Sequence, residues 1–303
     1  MLLKKNIPFK YIFGKIRYEM IGLALYTVLV TLIFEVFHVS YLSIPIAVPM
    51  IMITVVSLLL GFRSNQAYDR WWEARTIWGA VVNDSRSWAR QVSSFIQESI
   101  PGDEMFFFKS ALIKRQIAWC ISLNKSLRGQ EELPALEKLL DQNDLQQLKN
   151  YSSIPMGLLL IQAQDLQLAY RNKWINAFQQ VELDNTLTRF SNSMGACERI
   201  KKTVFPVTYS LYIHFSLMFF FVLLPFSLLE IFQLMTIPMV MATGVVFFLI
   251  EKMAVHLQDP FENKPTDTPM NTICSTIERD LRQVINDAVQ NDAVAKPNAY
   301  YML

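Results

Sequence analysis

Hydrophobic residues along this chain gather into four long blocks rather than being spread evenly. The blocks run over Ile21–Phe37, Ile44–Phe62, Phe205–Phe226 and Ile231–Ile250. Each approaches the roughly 20 apolar residues that a helix needs to cross a bilayer. The pattern therefore predicts two membrane hairpins. Between them, residues 63–204 contain few Gly and Pro and carry helical periodicities. Phe107, Leu112, Ile117, Ile121 and Leu127 drift around a helix face, and Glu131–Asn150 is polar with spaced leucines. Leu158–Phe178 and Val181–Val204 read as helices too, with breaks expected at Pro101-Gly102, Gly129, Pro134 and Pro155-Met156-Gly157. No stretch alternates as a strand does. The fold class predicted is all-α: four transmembrane helices continuous with a cytoplasmic helical bundle.

The second block is the most informative. It begins as AVPMIMITVVSLLLGF and passes into RSNQAYDRWWEAR with no Pro or turn cluster after Pro49. One helix is expected to leave the bilayer and continue into water. Its membrane half carries Met50, Thr54, Leu58 and Phe62 at i, i+4 spacing. A pore lining needs such a stripe, and plain core packing produces one as well, so spacing leaves both open. Four spans cannot enclose a wide aqueous path alone, so a channel requires an oligomer with one helix per subunit facing the axis. Beyond the membrane, Arg70 and Glu73 stand at i, i+3 and are expected to pair. Trp71 and Trp72 are expected to pack on the cytoplasmic bundle.

Charge orients these elements. Of 28 Lys and Arg, five lie in residues 1–20, eighteen in 63–204 and five in 251–303. None lies in the connections around Val39–Ser43 or Ser227–Glu230. The positive-inside rule then makes both termini and the middle segment cytoplasmic. The organisation expected is a cytoplasmic interfacial N-terminus (1–20), a first transmembrane hairpin (21–62), a cytoplasmic helical region (63–204), a second hairpin (205–257), and a cytoplasmic strap, helix and tail (258–303). The last segment should hold a helix from Asn271 or Thr272, with Glu278 and Arg282 as an i, i+4 pair. In the middle segment 18 basic residues face 15 acidic ones, which excludes a nucleic-acid patch. Cys120, Cys197 and Cys274 form no CxxC pair, and a disulfide framework is not expected in that compartment.

Catalytic chemistry is sparse. There is no HExxH, no nucleotide-binding Gly-rich loop and no GxSxG. His38, His214 and His256 are far apart and are expected to pack or sit at interfaces, with no metal bound. Ionisable residues near the spans matter more, because they are costly in the bilayer. Glu35 and Glu230 fall toward the outer side; they sit at the interface or form a cation-attracting outer mouth. Glu251 and Lys252 end the fourth block, where an interfacial position is expected.

The residues GFRSNQAYDRWWEAR (Gly61–Arg75), GACERI (Gly195–Ile200), FPVTYS (Phe205–Ser210) and QDPFENKPTDTPMN (Gln258–Asn271) followed by TICSTIERDL (Thr272–Leu281) occur in order over nearly the whole chain. In them the chain resembles the bestrophin family, in its bacterial branch. The resemblance implies a homopentameric, all-helical ion channel of the bacterial inner membrane, with four spans per subunit and membrane lipids and permeant ions as its other partners. It places a hydrophobic pore neck at Thr54, Leu58 and Phe62, with Thr54 standing where an apolar residue is usual. It places a cytoplasmic constriction at Phe178, or at Ile175 one turn earlier. The acidic run that forms the calcium clasp of animal members is absent after Pro260-Phe261, so no cofactor and no calcium activation are expected. The function implied is passive conduction of small monovalent ions: chloride or other anions, or sodium and potassium. The alternative is a non-conducting membrane scaffold or regulatory subunit. No enzyme activity is expected.

Overall fold

A computed structural model of the chain describes residues 13–37, 43–96, 103–203 and 206–287. Most of the basic N-terminal stretch, His38, most of the turn at Val39–Ser43, the Pro101-Gly102 break and the C-terminal tail lie outside the described residues. Among the described residues there is helix and no strand. The helices are α1 (Arg17–Phe37), α2 (Ala47–Phe95), α3 (Asp103–Leu127), α4 (Leu133–Leu136), α5 (Gln142–Leu148), α6 (Ile154–Arg171), α7 (Ala177–Lys202), α8 (Val207–Phe232), α9 (Thr236–Gln258) and α10 (Met270–Val284). A 3₁₀ turn, Gln233–Met235, joins α8 to α9. Among the described residues, three helical runs are long and apolar enough to cross a membrane: α1, α2, and α8 with α9.

The described residues divide into two compact units. One comprises 13–37, 43–71 and 206–259. Its core is built from Met20 and Leu23 of α1, Val56 and Leu60 of α2, Leu217 and Phe221 of α8, and Val240 and Phe248 of α9. α9 packs on α1 and α8, and α1 also packs on α8. Tyr26 donates to the Val222 carbonyl at 2.8 Å, tying α1 to α8. Pro225 sits inside α8 without ending it. The chain turns at Gln233, whose φ is 46° and whose N–H closes the helix on Leu229. The turn therefore lies beyond the Ser227–Glu230 expected from sequence.

The other unit comprises 72–96, 103–203 and 260–287. Trp78, Trp88, Trp119, Phe190 and Phe261 are its largest buried side chains. The Phe190 ring meets Trp119 at 5.0 Å and Trp88 at 6.4 Å. α3 lies against α6 and α10, and Arg282 donates to Glu278 at 2.9 Å, the pair expected from sequence. The Arg70–Glu73 pair does not form. Arg70 stands 3.9 Å from Asp259, and Glu73 bonds Arg199, since long side chains take the partner that the fold brings close. Trp72 is 55% exposed and Trp71 is half-buried. The apolar positions that drift around α3 divide accordingly: Phe107 is exposed, and Leu112, Ile117 and Leu127 are buried. Cys120, Cys197 and Cys274 are free and buried. Burial pushes the Cys120 and Cys197 thiols up to about 12, which keeps them protonated and inert.

Gly157 in the first turn of α6 permits a close approach. A Cβ there would stand 2.9 Å from Tyr151 Cδ2 and 3.0 Å from Leu148 Cδ2. A ring pinned on a turn yields less readily than a chain end. Gly157→Ala is expected to cost about 1–3 kcal/mol, measured as a fall in the denaturation midpoint. An unchanged midpoint would show that Tyr151 moves freely.

Candidate functional site: an unburied stripe on the second helix

α2 is a single 49-residue helix. In the first unit its inward face is Val56, Leu60, Arg63 and Ala67, each 2–3% exposed. The residues at the opposite azimuth are left open. Met50 is 59% exposed, Leu58 60% and Phe62 54%, and Thr54 lies on the same exposed face. The stripe is thus not part of this chain's core. Thr54 donates its hydroxyl to the Met50 carbonyl at 2.8 Å, so the one polar group in the stripe is satisfied within its own helix. To anything passing along this face the helix offers methyl, methylene and ring surface, which neither binds ions nor favours water.

Glu35 is exposed at the end of α1. Glu230 is exposed near the end of α8 and accepts a hydrogen bond from Ser43 at 2.5 Å. The Ile44 N–H bonds the Phe226 carbonyl at 3.3 Å, so the approach to α2 is fastened to α8 twice.

Phe178 and Ile175 prove very different. The sequence suggested one helix through Phe178, but α6 ends at Arg171 and α7 starts at Ala177. Lys173 takes φ 59°, and Asn176 and Gln179 form a reciprocal capping box, so the chain restarts as a new helix. Phe178 falls in the first turn of α7 and is 88% exposed, whereas Ile175 is 3% exposed and belongs to the unit's core. A concavity of about 560 Å³ lies at this connection, lined by Arg171, Lys173, Tyr170 and Trp174 among others. Neither Arg171 nor Lys173 has an ion-pair partner among the described residues.

A polar cluster that sequence reasoning did not assemble lies next to the stripe. Arg63 follows Phe62 directly, yet it is 3% exposed. Glu251, expected at the interface, is 5% exposed because α9 continues past it to Gln258. His214 Nδ1 lies 2.9 Å from Glu251 Oε1, and Lys252 Nζ is 2.6 Å from Glu19. The available signal was an arginine abutting an apolar helix and a glutamate inside one, each costly unless it finds a partner.

After Pro260-Phe261, Lys264 Nζ sits 2.8 Å from Glu262 and Lys201 Nζ 3.8 Å from it. The Lys264 bond outweighs burial and holds the Glu262 carboxyl below the ordinary range. Two ammonium groups already balance this carboxylate, so the residues present do not suit a calcium ion. Among the described residues no group of three or more His, Cys, Asp or Glu converges.

Long apolar helices and an unburied apolar stripe on one of them define an all-helical membrane protein. The family model for "Bacterial/Fungal Bestrophin protein" matches residues 9–283, and the chain belongs to that family. It is 31% identical over 274 residues to a voltage-dependent anion channel-forming protein of Nostoc sp., covering 89% of this chain and 87% of that one. It is 29% identical over 248 residues to the voltage-dependent anion channel-forming protein YneE of Escherichia coli, covering 82% and 79%. A crystal structure of a bacterial bestrophin homolog from Klebsiella pneumoniae matches with a TM-score of 0.84 at 24% identity, covering 90% of this chain and all of that one. That likeness shows the fold.

Proposed function

We propose that this chain is one subunit of a passive anion channel, a homopentamer in the bacterial inner membrane with both termini cytoplasmic. Each subunit crosses the bilayer four times, because α8 and α9 fold back on one another and each has enough residues to span it. The carrying observation is the stripe Met50, Thr54, Leu58 and Phe62, which lies open along a helix whose other face is buried. Five copies around an axis make it a narrow hydrophobic neck at Thr54, Leu58 and Phe62. Phe178 forms a second, cytoplasmic constriction, and its 88% exposure favours it over buried Ile175.

Two observations favour anions. The relatives above are named as anion channel-forming proteins. Arg171 and Lys173, close to Phe178 in sequence and without acidic partners among the described residues, would surround the cytoplasmic exit with positive charge. Glu230, bonded to Ser43, is assigned to fastening α2 to α8 rather than to attracting cations at an outer mouth. Chloride flux from liposomes loaded with the purified protein tests this reading, and no flux in any salt at any voltage would favour the scaffold.

Conduction through this channel needs no calcium. Currents in planar bilayers are expected to be the same in a calcium chelator as in micromolar free calcium. A loss of current in the chelator would show that Glu262 and its surroundings bind the ion despite Lys264.

A further inference from the structure

Within the second unit, α2 and α7 are joined by a ladder of polar side chains. Arg199 bonds Glu73, Arg189 Nε donates to Asp84 Oδ1 at 2.9 Å, and Gln91 Nε2 donates to Glu182 Oε1 at 3.1 Å. Positions rise along α2 as they fall along α7, so the two helices run antiparallel. Asp84 and Gln91 are about two turns apart, and so are Arg189 and Glu182, which keeps these rungs in step. The same two rungs are linked to each other. Arg189 Nη2 donates to the Thr186 hydroxyl at 2.9 Å, and that hydroxyl donates to Gln91 Oε1 at 2.8 Å. One run of donors therefore leads from the Arg189 cation through Thr186 and Gln91 to the Glu182 carboxylate, and bonds in such a run polarise one another. Gln91 is 1% exposed and Thr186 fully buried, so the Gln91 amide has to find its partners inside the protein.

Phe178 lies one turn before Glu182, toward the start of α7. Its ring is 88% exposed and draws little support from neighbouring side chains. Its place in space is set by the helical turn beneath it. The capping box of Asn176 and Gln179 closes that turn on itself without reaching another helix. Among the described residues, Gln91–Glu182 is the hydrogen bond to another helix that falls nearest Phe178. We propose that Gln91 and Glu182 are positioning residues for the cytoplasmic constriction: their hydrogen bond pins the start of α7 to α2 and so sets how far the Phe178 rings of the assembly close on the axis. This rests on the reading of Phe178 as that constriction. Glu182 acts through its hydrogen bond, not through its charge on a passing ion. The width it fixes decides how strongly small anions are favoured over large ones.

The test uses the full-length protein in planar bilayers with chloride on one side and gluconate on the other, where the reversal potential reads the permeability ratio. Glu182 and Phe178 are both exposed, so their substitution leaves the core of the unit intact. Glu182→Ala and Phe178→Ala should each lower the preference for chloride severalfold. Glu182→Gln keeps an oxygen that accepts from Gln91 and should match the parent. Phe178→Ala combined with Glu182→Ala should fall no further than Phe178→Ala alone, because both changes act through one ring. A Glu182→Gln ratio equal to that of Glu182→Ala would overturn the proposal in favour of a charge effect. Losses that add in the double variant, or a parent ratio in Glu182→Ala while Phe178→Ala lowers it, would overturn it as well.

Amide hydrogen exchange in the first turns of α7 supplies a readout that needs no current. Glu182→Ala should speed it about two- to tenfold, the worth of one hydrogen bond, and Glu182→Gln should not. Unchanged exchange in Glu182→Ala overturns the positioning role even if the channel conducts. Faster exchange in Glu182→Ala together with a parent ratio in Phe178→Ala keeps Gln91–Glu182 as the anchor of α7 and removes Phe178 from the constriction instead.

Discussion

Replacing Leu58 and Phe62 together by Ala is expected to raise single-channel current about tenfold, the equivalent of lowering a barrier by about 1.4 kcal/mol. The reason lies in the stripe. Both side chains are more than half exposed in the subunit, so truncating them removes little of its core. What it removes is apolar bulk from the neck, where narrowness and poor wetting oppose an ion together. Fold and assembly should survive, and size-exclusion of the variant checks that they do. Thr54→Leu should act the other way, because it adds a third fully apolar ring where the chain now carries a hydroxyl. Single-channel recording decides both. Unchanged current in the double variant would remove Leu58 and Phe62 from the neck.

The largest effect on stability is expected at Arg115. This side chain is 11% exposed and donates to Asp144 at 2.6 and 3.0 Å and also to Asp165. It thereby links α3 to α5 and α6. Arg115→Ala would leave two largely buried carboxylates with no cation, a loss of about 3–5 kcal/mol. The pH dependence gives the prediction a sign. Burial already raises the Asp165 carboxyl above its ordinary range, with Asp144 and Asp141 adding to the rise and Arg115 opposing it. A carboxyl raised in the folded state contributes stability that is present below its unfolded value, near pH 3.9, and lost as pH rises through the folded one. Without Arg115 that loss deepens. The deficit of the variant should therefore be greatest at neutral pH and shrink toward about pH 4. Thermal midpoints of the detergent-solubilised proteins across pH measure it, and a deficit independent of pH would contradict the charge-based account.

Much of this was readable in the chain. Helix was evident from periodicity, the membrane helices from apolar runs, and the family from ordered motifs such as Gly61–Arg75. The stripe was visible too, but not its surroundings. Core packing and pore lining share the same i, i+4 spacing, and only the burial of Val56, Leu60 and Arg63 shows which face of α2 is inward. The α6–α7 break was hidden because Lys173 supplies a positive φ without a glycine and Asn176 with Gln179 caps a helix without a Pro or Gly signal. The break moved Phe178 from the end of one helix to the start of another. Arg70 and Glu73 looked like partners because local spacing is all a sequence displays, whereas Asp259 and Arg199 are distant along the chain. Arg63 was hidden for a similar reason. An arginine just past an apolar block reads as leaving the membrane, whereas here it is buried in the first unit.

Whether the proposed pore passes anions is read from the reversal potential of the purified protein in a planar bilayer under a tenfold KCl gradient. Perfect anion selectivity would place it at the chloride equilibrium potential, about 59 mV from zero for a one-electron-charge ion. A potential of the chloride sign, close to that limit, is expected. A potential of the potassium sign would contradict the anion reading.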